Sequence, residues 1–145
     1  MIETVRVEQW LYGLLSGDTG AGGVSTLVGG RIYAYIAPEG SAFPLVVYSR
    51  QAGHDVAGVG PVRIMASEVY QVKVIGKAAT VAFGAIKPIA DRIDTLLQGA
   101  SGMVVDGRVL SCVREQGISY VETEGSDVYS HLGGLYRIQV QGVET

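Results

Sequence analysis

Residues 28–48 read VGGRIYAYIAPEGSAFPLVVY and contain two strand-like runs of different character. In residues 31–36, Ile and Ala alternate with Arg and Tyr, which is the pattern of a half-buried strand. Residues 45–48 are continuously apolar and follow Pro44, which favours a strand buried on both faces, with the proline at its first position. The stretch therefore predicts two strands joined by a Pro-bounded loop.

Two other segments have the spacing of amphipathic helices. Residues 3–16 and 86–97 place apolar side chains three and four positions apart, and Gly99 provides a stop for the second segment. Pro88 has no amide hydrogen, so it is tolerated only near the start of a helix. We therefore expect the second helix to begin near Ile86.

The last third of the chain carries turn signals between strand-like runs. Three of them indicate hairpin turns and one indicates a bulge or bend within a strand. The hairpin signals are Asp106-Gly107, Gln116-Gly117 and Gly125, and the bulge signal is Gly133-Gly134.

The order of these elements predicts a single α+β domain over residues 1–145. We expect a mainly antiparallel β-sheet with two α-helices packed on one face. Residues 17–30 and 52–61 are rich in glycine, and we expect them to be long inserted loops.

Composition and charge narrow the function classes. The chain has 145 residues, is 48% hydrophobic and 17% charged, and carries a formal net charge of −3, without a Lys/Arg cluster that would grip a phosphate backbone. The single cysteine, Cys112, lies in an apolar run, which favours a buried thiol and excludes an internal disulfide. No run is long enough to cross a bilayer and the N-terminus lacks signal-peptide features, so we expect a cytoplasmic product without a membrane partner.

The sequence offers few candidates for chemistry. The glycine-rich residues 17–30 lack the P-loop ending, and GxSxG and HExxH motifs do not occur. His54 beside Asp55, and Asp127 four positions before His131, are the pairs on which a hydrolytic or small-molecule-binding enzyme would depend. Neither pair has a third ligand nearby, so we predict no catalytic, cofactor or metal site and no enzymatic activity.

Residues 29–49, GGRIYAYIAPEGSAFPLVVYS, resemble the tail-completion, or tail-terminator, proteins of long-tailed bacteriophages. The resemblance rests on Gly30-Arg31-Ile32-Tyr33, on Ala37-Pro38 and on Pro44-Leu45-Val46-Val47-Tyr48. Segments similar to YQVKVIG, ADRIDTLLQG and YRIQVQG then follow in the same order, so the likeness spans nearly the whole chain.

This resemblance implies a structural virion protein assembled in the host cytoplasm. It implies a homo-oligomeric ring, commonly a hexamer, at the head-proximal end of the tail, where it stops polymerisation of the tail tube. Its partners would be other copies of itself, the tail-tube protein, the head-tail connector, and genomic DNA passing through the channel without specific binding. Another neck or tail-tube ring component is the alternative within the same class.

A ring of this kind requires contacts between subunits and between layers. We assign these contacts to sheet-edge and loop residues with exposed polar or aromatic side chains. The candidates are Arg31, Tyr33, Tyr35, Arg50 and His54.

Overall fold

The structure is a computed structural model that describes residues 2–60 and 62–142, with side-chain surroundings described from residue 5 onward. Within this part of the chain, no helix is long and apolar enough to span a membrane. The elements in chain order are α1 (Ile2–Ser16), α2 (Val24–Leu27), β1 (Ile32–Ala34), β2 (Leu45–Ala57), β3 (Arg63–Ala78), α3 (Phe83–Leu97), β4 (Gly102–Val104), β5 (Gly107–Glu124) and β6 (Asp127–Gly142).

The strands form one six-stranded sheet in the order β1-β2-β3-β6-β5-β4. β1 pairs with β2 in parallel, and each of the other neighbouring pairs is antiparallel. The sheet is therefore mixed but mostly antiparallel, and the α+β prediction is confirmed at that level. The chain has a third, four-residue helix, α2, in addition to the two predicted helices.

The core lies where alternate residues of the long strands contact residues of the helices. We call this side of the sheet the core face, and the other side the opposite face. Members of the core cluster include Leu11 and Leu15 of α1, Val24 of α2, Ile89 and Ile93 of α3, Val46 and Tyr48 of β2, Val72 and Val74 of β3, Cys112 of β5, and Tyr136 and Ile138 of β6. Leu45 and Val47 point to the opposite face and are also buried, which confirms the predicted burial of residues 45–48 on both faces.

The core also contains the only thiol of the sequence, that of Cys112. Its side chain is fully buried, and burial raises the pKa of the thiol to about 12, with a smaller contribution from the charge of Asp94. The thiol is therefore uncharged and packed as a small apolar group, as its apolar sequence context predicted.

The predicted loop at residues 52–61 is wrong. β2 continues to Ala57 and β3 begins at Arg63, so the two strands form a long hairpin, and Pro61 lies outside the described residues. The glycine at position 53 marks a close approach and not a turn, since a Cβ atom there would lie 2.0 Å from Glu68 Oε2. Composition alone does not distinguish these two uses of glycine.

The hairpin signals give a mixed outcome. Asp106-Gly107 lies at the β4–β5 turn and Gly125 lies at the β5–β6 turn, with positive φ angles of 59° for Asp106 and 60° for Gly125. Gln116-Gly117 is not a turn, because β5 runs through it. The ladder instead shifts register between Arg114 and Gln116, which absorbs the irregularity within the strand.

The prediction at Gly133-Gly134 was a bulge or bend, and the structure has no bulge there. β6 pairs with β3 through both residues in unbroken register. A Cβ atom at Gly133 would lie 2.1 Å from the carbonyl oxygen of Val72. This glycine therefore allows the backbones of β6 and β3 to approach each other closely.

α3 begins at Phe83, earlier than the predicted start near Ile86. Pro88 therefore lies beyond the first turn, where it lacks the amide that would bond the carbonyl of Gly84. Burial of Ile86 and Ile89 on either side of the proline compensates for the missing bond. Gly99, at φ 78°, follows the end of the helix as predicted.

The glycine-rich residues 17–30 are fixed at one point by Asp18. Its Oδ2 accepts hydrogen bonds from the amide of Val24 at 2.8 Å and from Arg92 Nε at 2.8 Å. Arg92 Nη2 also donates to Asp18 Oδ1 at 2.9 Å. The hydrogen bond with Arg92 is the main reason that the pKa of Asp18 is lowered, and it links this loop to α3.

Candidate assembly surface

Tyr35 directly follows β1 and links this part of the chain to α1. Its φ of 66° is left-handed, so the chain leaves the strand direction there, although its amide still donates to the carbonyl of Tyr48 at 2.8 Å. The Tyr35 hydroxyl donates to Glu8 Oε2 at 2.7 Å, and the same oxygen accepts from the Tyr70 hydroxyl at 2.9 Å. Burial, followed by the contact with Glu8, raises the pKa of Tyr35.

Arg50 neutralises the Glu68 carboxylate, which is buried on the core face. Its Nε donates to Glu68 Oε2 at 2.6 Å, and the side chains are 28% and 1% exposed, respectively. This hydrogen bond is the main reason that the pKa of Arg50 is raised. The side chain of Arg50 therefore already has a structural role within its own chain.

Of the remaining three candidates, Arg31 and Tyr33 lie two residues apart at β1, and His54 lies on β2. Arg31 Nε donates to the carbonyl of Pro44 at 3.1 Å, and Tyr33 is half-buried on β1 opposite Val47. His54 is exposed on β2. Tyr35 and Arg50 are near enough that the arginine charge counteracts part of the rise in the pKa of Tyr35. The fold therefore brings Arg50 close to Tyr35, whereas Arg31 and Tyr33 are neighbours of Tyr35 along the chain.

The opposite face carries a cluster that the sequence did not reveal. Lys73 Nζ donates to the Tyr120 hydroxyl, the rings of Tyr120 and His131 stack with centroids 4.2 Å apart, and His131 Nε2 lies 2.9 Å from Glu122 Oε1. His131 Nδ1 is buried and has no hydrogen-bond partner within the described residues. Burial, followed by the charge of Lys73, lowers the pKa of His131, while Glu122 opposes this shift.

A groove of about 360 Å³ opens beside this cluster. The rings of Phe43 and Tyr129 meet there with centroids 5.5 Å apart, and Lys77 Nζ lies 5.9 Å from each ring centroid. Lys77 Nζ also lies 3.6 Å from Asp127 Oδ2. The groove thus combines apolar walls with charged groups at its rim.

The two pairs proposed for an enzyme do not form. Asp127 pairs with Lys77, while His131 pairs with Glu122. His54 and Asp55 are consecutive on β2, so their side chains point to opposite faces of the sheet. Among the residues that the structure describes, no three His, Cys, Asp or Glu side chains are grouped so as to hold a metal ion.

Several exposed apolar residues lie on the two long hairpins and on β4, and others lie on α1 and directly after β1. At the tip of the β2–β3 hairpin, Val59 is fully exposed at 104%, while Val62 is 51% exposed and Ile64 is 48% exposed. On β5, Val113 is 45% exposed and Val121 is 39% exposed. Apolar surface grouped in this way marks contact sites on proteins that work in assemblies.

Comparison with known families also indicates a protein that works in an assembly. The family model described as "Tail completion protein gp17" matches residues 10–141. The chain belongs to this tail completion family. The family is the one that residues 29–49 resemble, and membership makes the chain a structural protein of the virion tail.

A solved structure shares the fold. A chain of the structure described as "Virion of native gene transfer agent (GTA) particle" has a TM-score of 0.68 and 21% sequence identity, covering 91% of this tail completion chain and 92% of that chain. At this identity, the likeness establishes a common fold. No curated protein sequence matches the chain.

Sequence reasoning missed the cluster on the opposite face because its residues are far apart in the chain. Lys73 lies on β3, Tyr120 and Glu122 lie on β5, and His131 lies on β6. They meet only through the registers that place His131 opposite both Ile75 and Tyr120. Tyr120 and Glu122 are two positions apart, which places them on one face of a strand, but the sequence does not show which strand lies beside them.

Proposed function

We propose that the protein forms a ring, a hexamer, at the head-proximal end of the tail. The ring ends polymerisation of the tail tube and joins the tail to the head connector. The observation that carries this proposal is the tail completion family match over residues 10–141. A tail is completed when its growing end is capped, and a ring with two unlike sides provides such a cap.

The surface of the fold suits this role. Buried residues of α1 and α3 share one cluster with Val72 and Tyr136, so we infer that both long helices cover the core face. The opposite face and the hairpins are then available for neighbouring copies, the tail-tube protein and the connector. Arg31, Tyr33, Tyr35, Arg50 and His54 remain our candidates for these contacts.

The charge of the chain suits a channel for DNA. A formal net charge of −3 provides little attraction for phosphates, so genomic DNA passes through the ring without specific binding. A strongly basic channel would retain DNA and slow its passage. The other partners that we propose are all proteins, and none is a membrane.

Deletion of the coding sequence from its virus tests the proposal. We expect tails of variable and excessive length, detached from heads, because the tube has no terminator. Electron microscopy of the lysate measures tail length, and expression of the wild-type chain in trans restores it. Tails of normal length that fail to join heads would overturn the terminating role and favour another neck ring.

A further inference from the structure

Near each edge of the sheet, one long strand directs backbone groups away from the centre of the sheet, and a short segment covers only some of them. At one end, Val46 donates its amide to the carbonyl of Arg31 at 2.9 Å, and the carbonyl of Tyr48 accepts from the amide of Tyr35 at 2.8 Å. Alternate residues of β2 therefore direct both polar groups away from β3. Because Tyr35 leaves the strand direction, β1 covers this edge only as far as Tyr48.

The same orientation recurs farther along β2. Val72 of β3 lies opposite Tyr48, so its backbone groups point away from β2. Glu68 and Ala66 are an even number of residues from Val72, so their backbone groups point the same way. After the register shift, these residues lie opposite Gly53 and Asp55, whose amides and carbonyls consequently face outward. In the described part of the chain, no other strand pairs with that edge.

The other end of the sheet is built in a similar way. The carbonyl of Cys112 accepts from the amide of Gly99 at 2.8 Å, and the amide of Arg114 donates to Gln98 Oε1 at 2.8 Å. Both residues of β5 therefore direct their backbone groups away from β6. The end of α3 covers these two positions, while β4 pairs only as far as Val109.

Beyond Arg114, the edge of β5 is uncovered by any strand or helix that the structure describes. Outward-facing residues again alternate, and their positions follow from the partners on β6. They are Gly117, Ser119, Val121 and Thr123, opposite Gly134, Leu132, Ser130 and Val128. A long open edge of this kind pairs readily with a strand of another chain.

The two open edges match each other. Three antiparallel steps lead from β2 to β5, so the two strands run in opposite directions. Rotation about a ring axis preserves the direction of strands that run mainly along that axis, so in such a ring β5 of one copy meets β2 of the next as an antiparallel pair. The open lengths lie at opposite ends of the sheet, because Asp55 is level with Val109 through Ala66 and Val140. Ser119 is level with Val46 through Leu132 and Val74. Pairing them therefore requires strands tilted steeply to the ring axis.

We propose that neighbouring copies join edge to edge, with residues 117–123 of β5 from one copy adding to residues 53–57 of β2 from the next. The occupant of each edge is thus a second copy of this chain. The contact is heterologous, since two different edges meet, and it closes by rotation. The proposal rests on the ring of the proposed function and specifies its subunit joint.

Proline at an outward-facing position tests this joint. Asp55→Pro and Val121→Pro each remove an outward-facing amide hydrogen that does not take part in the pairing with β3 or β6. Edge strands tolerate proline at such positions. Asp55→Ala and Val121→Thr are the matched controls, because they change the side chain and keep the amide. We expect native mass spectrometry to show rings for wild type and controls, and folded monomers for both proline variants.

Mixing the two proline variants tests whether the joint is heterologous. Asp55→Pro keeps an intact β5 edge and Val121→Pro keeps an intact β2 edge, so an equimolar mixture should give dimers and no larger species. Dimers of Asp55→Pro alone would reveal two-fold pairing of β5 with β5 and would overturn the proposal. Rings formed by either proline variant would also overturn it.

Hydrogen exchange on the wild-type chain provides a measurement without substitutions. The amides of Asp55, Ser119 and Val121 should exchange rapidly in the diluted monomer and slowly in the ring. A ring in which they exchange rapidly, or a wild-type chain that remains monomeric at every concentration, would overturn the joint. Tail length after gene deletion tests termination separately, so failure of the joint and failure of the proposed function are distinguishable.

Discussion

The fold opposes protonation of His131. Burial lowers its pKa below the ordinary value of 6.5, Lys73 adds repulsion, and Glu122 compensates only in part. As pH falls below 6.5, the unfolded chain takes up this proton before the folded chain does. The contribution to stability is complete above that value and is lost as pH falls through the lower pKa of the folded state.

We therefore predict that His131→Gln reduces the loss of stability on acidification from about pH 7.5 to about pH 5. Urea unfolding at several pH values in this range measures how steeply the free energy of unfolding changes with pH for each protein. His54→Gln is the matched control, because His54 is exposed on the β2–β3 hairpin. An equal slope for wild type and His131→Gln would contradict the prediction.

Arg50 presents a different case, since its positive charge compensates the buried negative charge of Glu68. We predict that Arg50→Ala lowers the free energy of unfolding by about 3 kcal/mol, because it leaves the Glu68 carboxylate buried without its arginine. The 28% exposure of Arg50 places this value at the low end of the range for buried pairs. Chemical denaturation measures the change.

The double variant Arg50→Ala/Glu68→Gln provides the control for this prediction. Removal of the negative charge should recover most of the lost stability, whereas a packing effect of the arginine would persist. A double variant as unstable as Arg50→Ala would contradict the electrostatic explanation. Charge reversal at Arg50 is consequently unsuitable as a test of assembly, because it would disturb the fold.

At the scale of the element, the pairing of β6 with β3 depends on a glycine where the two backbones approach closely. A methyl group at Gly133 would lie 2.1 Å from the carbonyl oxygen of Val72, and backbone cannot yield as a flexible side chain does. We predict that Gly133→Ala destabilises the protein by about 3 kcal/mol or more. Thermal unfolding measures the effect.

Gly117→Ala is the matched control on the neighbouring strand. The nearest atom to a Cβ at this position is the carbonyl oxygen of Gly133, at 4.0 Å, which is ordinary contact. Alanine there should leave stability unchanged or raise it slightly, since glycine weakens a strand interior. Equal destabilisation by the two substitutions would show that strand glycines matter for another reason.

These glycines also explain which elements the sequence predicts well. Helical spacing located both long helices and alternation located the centre of β3, because burial of one side of an element imposes its own period. Gly53, Gly117 and Gly133 were interpreted as loop, turn and bulge, yet all three lie within strands. Their role depends on what lies opposite them, which requires the register of a distant strand.

The candidate site shows the same limit. The contact residues were chosen for exposed polar or aromatic character, and only the structure shows that Tyr35 and Arg50 bond within their own chain. The open edges of β2 and β5 leave no trace in composition, because they are properties of the backbone. Family resemblance was visible because residues 29–49 carry a local pattern of side-chain types.

At the scale of the whole molecule, the tip of the β2–β3 hairpin is the clearest candidate for contact with another layer. We predict that Val59→Ser/Val62→Ser changes the free energy of unfolding by less than about 0.5 kcal/mol, because both side chains are exposed. The same variant should fail to restore tail length in the deleted virus. Chemical denaturation and electron microscopy measure the two effects.

Ile36→Ser is the control for this variant, since Ile36 is 81% exposed and lies outside the hairpin. It should restore tails as the wild-type chain does. If the hairpin variant also restores normal tails, then the tip does not contribute to capping. A loss of stability in the hairpin variant would show that the tip packs within its own chain.

The solitary thiol in the core gives the protein a built-in reporter. A disulfide reagent such as Ellman's reagent reacts with a thiolate that it can reach, and Cys112 offers neither access nor charge while the chain is folded. Colour develops only as fast as the core opens. Because the sequence has no second cysteine, one absorbance trace on unmodified protein times that opening, in the free subunit and in a ring of this chain alone.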